Sequence, residues 1–145
     1  MLEMAKRMEA SQAVALVDLV GRVQGQLAAV VAEATVASAV TAAEGVALRA
    51  IAAAPEGLSQ SSWARSLGVS RQRAHVLAAA LAARGLLAVE PAGRSSRVRL
   101  TPAGNAAIAA QTSQLGEAVS TRLAAYPDGD ALMGLLGRLV VALGA

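Results

Sequence analysis

Residues 59–87 read SQSSWARSLGVSRQRAHVLAAALAARGLL, and residues 88–104 continue AVEPAGRSSRVRLTPAG. Ser59 is a good helix cap, because its hydroxyl can accept from a free amide of the first turn, and Trp63, Ala64 and Leu67 face inward from the short helix it opens. Gly68-Val69 makes a tight turn. Ser70 caps a second helix over 71–84 in which Ala74, Leu77, Ala78 and Leu81 form the buried stripe, and Gly85 is its left-handed stop. Leu86–Glu90 and Arg97–Leu100 follow as strands, with Pro91-Ala92-Gly93 as the turn between them. In the second strand Val98 and Leu100 alternate with Arg97 and Arg99, so one face is apolar and the other cationic. Helix, turn, helix and hairpin in this order make a winged helix-turn-helix.

The flanks are helical. Leu16, Leu19, Val20, Val23, Leu27, Val30 and Val31 follow 3.6-residue spacing within a long helix over 11–37. Val14 and Val17 add apolar surface off that stripe, which a lone helix does not need, so a partner helix is implied. Thr41-Ala42-Ala43-Glu44 is a capping box that starts a second helix, carrying Val46, Leu48 and Ile51 and ending before Pro55-Glu56-Gly57. Thr101-Pro102 places a cap before proline at the first helical position and opens a helix to about Ala125. Tyr126-Pro127-Asp128-Gly129 breaks it, and Asp130 is expected to cap a last helix with Leu132, Leu135, Leu136, Leu139 and Leu143.

Composition supports a mainly α fold. The chain is 55% hydrophobic and 1% aromatic, dominated by alanine, leucine and valine, and alanine loses no side-chain entropy in a helix. A length of 145 residues is that of one domain. The start, MLEMAKRMEA, has no continuous apolar core of a secretory signal, and the apolar stretch 27–43 is interrupted by Glu33, so neither export nor a membrane partner is expected. The absence of cysteine fits a cytoplasmic location and excludes disulfides and thiolate metal sites. A single histidine and scattered carboxylates leave no catalytic or metal constellation, so the expectation is a non-enzyme without a cofactor.

Charge is segregated. Between Ser59 and Thr101 seven arginines face one carboxylate, a balance of +6, while six cations and nine anions elsewhere give −3. A basic module in an acidic frame points to a polyanion contacted by one face. Arg71, Gln72, Arg73 and His75 occupy the first turns of the 71–84 helix, opposite its apolar stripe. Arginine can bond bidentately to guanine O6 and N7, and glutamine to adenine N6 and N7, so this set can read bases in a major groove. Ser61, Ser62 and Ser70 are candidate phosphate donors that serve equally well as capping or surface residues. Arg94 at the hairpin tip is placed for a minor groove, and Arg97 and Arg99 for backbone phosphates.

With SQSSWARSLGVS as positioning helix and turn, RQRAHVLAAALAARGLL as recognition helix and RVRLTPAG as the strand returning into a long helix, the chain resembles the MarR family of winged-helix regulators. The resemblance covers most of the chain. It implies one domain over 1–145, with 11–37 and 102–145 as dimerisation helices and 41–101 as the DNA-binding lobe. It departs at the wing, where the family usually has Asp followed by two Arg. Here Arg94 aligns with the second Arg, Ala92 and Gly93 replace the other two, and the wing is shorter. The resemblance implies a homodimeric repressor on a pseudo-palindromic double-stranded operator; members of that family often release DNA when a small-molecule effector binds, and constitutive binding without an effector is the open alternative. The alternative is a winged-helix interaction module that has lost specific DNA binding, motivated by the altered wing.

Overall fold

The computed structural model describes residues 7–144, so the ends of the expected 1–145 domain, residues 1–6 and 145, lie outside the described residues. Helix α1 (Ala10–Ala34) leads to α2 (Ala42–Ala52), the two-residue strand β1 (Leu58–Ser59), α3 (Gln60–Leu67) and α4 (Arg71–Ala83). Strands β2 (Leu87–Ala92) and β3 (Ser95–Leu100) follow, then α5 (Pro102–Arg122) and α6 (Gly129–Gly144). The fold is mainly helical with a small antiparallel sheet, as the sequence predicts.

Most helix ends fall where the capping chemistry puts them. The Thr41 hydroxyl accepts from Glu44 N at 3.1 Å, and the Glu44 carboxylate accepts from Thr41 N at 2.8 Å, a complete capping box. Ser59, Ser70 and Thr101 accept from Ser62 N, Arg73 N and Gly104 N. Helices α3 and α4 end at left-handed Gly68 and Gly85, and the next amides, Val69 N and Leu86 N, donate five residues back to Ala64 O and Leu81 O. One cap is corrected: Asp128, not Asp130, opens α6, its carboxylate accepting from Ala131 N at 3.0 Å. A cap must lie about three residues before the amide it takes, and Asp130 already sits inside the first turn.

The sheet has one strand more than the expected hairpin. Its order is β1-β3-β2, with Leu58 opposite Val98 and Ser59 opposite Arg97. The hairpin strands are also longer, since Pro91 and Ala92 pair with Ser96 and Ser95 instead of forming the turn. Proline is tolerated there because β2 is an edge strand. The loop shrinks to Gly93-Arg94, and Gly93 takes a φ of 64°, a left-handed conformation that a side chain resists and tight hairpins require.

The core lies wholly within residues 40–108, built from Val40, Leu48, Ile51, Trp63, Leu81, Val98 and their neighbours. Trp63 is fully buried, and its indole N–H donates to Ala47 O at 2.9 Å, so the large ring enters the core with its one polar group satisfied. Helices α1 and α6 contain no buried residue. Leu16, Val30 and Val31 of α1 are half-buried, while Val17 (70% exposed), Val20 and Val23 are open. On α6, Met133, Val140, Val141 and Leu143 are likewise open. By length and composition alone α1 could cross a membrane.

Candidate nucleic-acid interface

The α3–turn–α4 unit hangs on Trp63, Ala64, Ala74, Ala78 and Leu81, which bury one side of each helix. Packing these small and branched residues inward turns the opposite side of α4 to solvent. Arg71, Gln72, Arg73 and His75 are all exposed there. Among the described residues, none of their side chains has a hydrogen-bond or ion-pair partner. The same holds for Arg94, exposed at the hairpin tip. The first-turn amides of α4 add positive potential at the same end, which favours an approaching anion.

These groups do not form one strip. Gln72, His75 and Ala79 follow one another at helical spacing on the outward side of α4. Arg73 instead shares a strip with Val76, Leu77 and Ala80, and lines an apolar groove of about 540 Å³ between α4 and α2. Arg73 is thus both exposed and in contact with this groove.

The serines divide. The Ser70 hydroxyl is engaged as the α4 cap at 3.1 Å from Arg73 N. Half-buried Ser62 accepts from the Ser59 hydroxyl at 2.9 Å and from Arg65 Nη2 at 3.3 Å, so it belongs to a local network at the start of α3. Ser61 is half-buried beside it.

The strand arginines are occupied within the chain. Arg97 Nη1 donates to Gly57 O at 3.0 Å and Glu56 O at 3.3 Å. Arg99 Nη2 reaches Glu56 O at 3.5 Å and lies 3.7 Å from the Glu90 carboxylate, both groups being about half exposed. The pair fastens β3 to the loop before β1. The Glu90 carboxylate thus faces Arg99, and Arg94 at the tip has no ion-pair partner among the described residues. The sequence does not reveal this fastening, because its acceptors are backbone carbonyls some forty residues upstream.

Two further groups were not singled out by sequence. Arg84, just past α4, pairs with the Glu44 carboxylate and donates to Ala39 O at 2.6 Å. Gln111 of α5 is a fully buried polar side chain. A signal for it exists, since it stands between Ile108 and Leu115 on the inward stripe of α5, a place where an amide needs a reason.

Residues 40–97 match the MarR family. No curated protein matches the chain in sequence. Its fold is shared with solved transcription regulators. The regulator BldR of Sulfolobus solfataricus superposes with a TM-score of 0.80 at 16% identity, covering 94% of this chain and 99% of that one. The repressor CouR, solved bound to a 23-mer DNA duplex, gives 0.77 at 22% identity over 96% and 99% of the two chains. CouR of Rhodococcus jostii RHA1, bound to p-coumaroyl-CoA, gives 0.74 at 19% identity over 86% and 88%.

Proposed function

We propose that this chain, whose residues 40–97 match the MarR family, is a homodimeric, sequence-specific DNA-binding transcription regulator acting as a repressor. One observation carries the reading. Arg71, Gln72, Arg73 and His75, with Arg94 at the tip, are exposed and, among the described residues, unpartnered, whereas the other lobe arginines named above are tied within the fold. A cationic and amide-bearing edge at a helix N-terminus suits the edges of bases in a major groove.

The DNA contacts are assigned as follows. Gln72 and His75 face the base edges, Arg71 and Arg73 reach bases or the flanking phosphates, and Arg94 follows the neighbouring minor groove. Ser70 and Ser61 border the backbone, and Ser62 acts through the α3 cap. Arg97 and Arg99 add positive potential near the phosphates while holding the sheet together. Helices α1, α5 and α6 form the two-fold seam, so two recognition helices meet successive grooves of a pseudo-palindrome. Release by a small-molecule effector, and a cytoplasmic location, belong to the same reading. An effector acts only through unequal affinity for the bound and released arrangements.

Selection of duplexes from a random pool by the purified protein tests this. A symmetric consensus with steep salt dependence is expected. Weak binding to all sequences alike would instead support an interaction module that has lost specific recognition.

A further inference from the structure

The loop between α1 and α2, residues 35–41, is gripped from two sides. From α5, Gln111 Nε2 donates to Val40 O at 3.0 Å and Thr41 O at 3.1 Å, while its Oε1 accepts from Arg49 Nη1 of α2 at 2.9 Å. From the end of α4, Arg84 donates to Ala39 O at 2.6 Å and pairs with Glu44, the carboxylate that also caps α2. Three consecutive carbonyls are thus held, one by the recognition helix and two by the long helix of the frame.

The fit around Gln111 is close. A Cβ on Gly45 would lie 1.7 Å from Gln111 Oε1, so α2 can present only bare backbone there. Among the described residues no buried side-chain polar atom lacks a partner, so the cluster is complete. Gln111 itself is wholly buried, so a shift that breaks its bonds leaves a desolvated amide unpaired, whereas the Arg84 grip is made at the exposed edge of the same loop.

Helix α5 meets the lobe at a second place. At its start, the Thr101 hydroxyl donates to Gly85 O at 2.5 Å and Thr101 N to Leu86 O at 3.3 Å, and a Cβ on Gly104 would lie 1.9 Å from Leu86 O. Gln111 comes seven residues after Gly104, about 10 Å further along the helix. One attachment is a pivot, whereas two separated attachments fix an axis.

We propose that Gln111, acting through the 35–41 loop and Arg84, is a positioning residue that sets the aim of α4 relative to α5, and so the distance between the two recognition helices of a dimer. This rests on the dimeric DNA-binding reading above. Gln111 touches none of the exposed groups assigned to DNA, so its loss leaves the affinity for one half-site unchanged and removes the preference for a particular spacing.

The test uses Gln111→Met, which keeps volume and removes the amide, and Arg84→Gln, a milder surface change that cuts the grip from the α4 side. Binding is measured to duplexes carrying one half-site, or two at stepped separations. Wild type is expected to favour one separation, and both variants to lose that preference by about tenfold, the scale of one broken network coupling. Folded, dimeric variants that keep the wild-type spacing profile overturn the proposal. The chain has no cysteine, so Ala79→Cys gives one spin-label site per protomer. The label-to-label distance distribution is expected to broaden when Gln111→Met is added, and an unchanged distribution overturns the coupling whatever the DNA result. Broadening in a protein that selects no symmetric DNA keeps the coupling and overturns the DNA reading. A labelled wild type with no pair distance overturns both.

Discussion

Arg73 and Arg97 carry the same charge and are put to different uses. Arg73 lines the α2–α4 groove with no side-chain partner among the described residues, while Arg97 is spent on two carbonyls of the loop before β1. Arg73→Ala is expected to relax base preference at one position per half-site by about 1–3 kcal/mol, read by repeating the selection with the variant. Arg97→Ala is expected to lower folding stability by about 1 kcal/mol, because the part-buried bond to the Gly57 carbonyl is lost while the exposed one to Glu56 is replaced by water; urea melts check this. A loss of DNA affinity with unchanged melting would return Arg97 to a phosphate role. The exposure of Arg71, Gln72, Arg73 and His75 was legible from helical spacing, since position relative to Ala74 and Leu81 fixes which side faces water. The tying of Arg97 and Arg99 was not, because local alternation says which face a side chain takes and nothing about what folds back over it.

Elements were read best where a side chain closes its own turn. Thr41, Ser59, Ser70 and Thr101 all cap the helices expected of them, since the bond they make spans three residues and needs no distant partner. Ser70→Ala is expected to cost about 1 kcal/mol and to fray the turn that carries Arg71, Gln72 and Arg73, so melting temperature and DNA affinity fall together. Sequence and structure part where tertiary contacts decide. Strand β1 is two residues long and exists only because β3 offers an edge to Leu58 and Ser59. Pro91 continues β2 because the other side of that strand is unpaired, a fact of sheet order that no run of letters contains. Asp128 and Asp130 flank the start of α6, and a two-residue ambiguity between two carboxylates needs geometry to resolve.

In the molecule as a whole, a finished lobe joins an unfinished frame. Every core residue falls between Val40 and Ile108, whereas α1 and α6 turn valine and leucine to solvent. The sequence already indicated this, because Val14 and Val17 lie off the stripe that one neighbour could cover. Val17→Glu is expected to weaken dimerisation by about tenfold or more, the cost of setting unpaired carboxylates in an apolar seam, as measured by sedimentation equilibrium. A variant that sediments as wild type would remove Val17 from the seam. If α1 were instead a bilayer span, wild type would need detergent to stay dispersed; a stable dimer in plain buffer excludes that use of the helix.

The lack of any buried residue in α1 has a thermodynamic consequence. In the proposed dimer, association rather than the single chain supplies the lining of this rod, so mass action enters its folding and the melting point is expected to climb with protein concentration. Abundance becomes an input: as copies grow scarce, the arms loosen before the lobe does, and control over the operator fades by dilution alone.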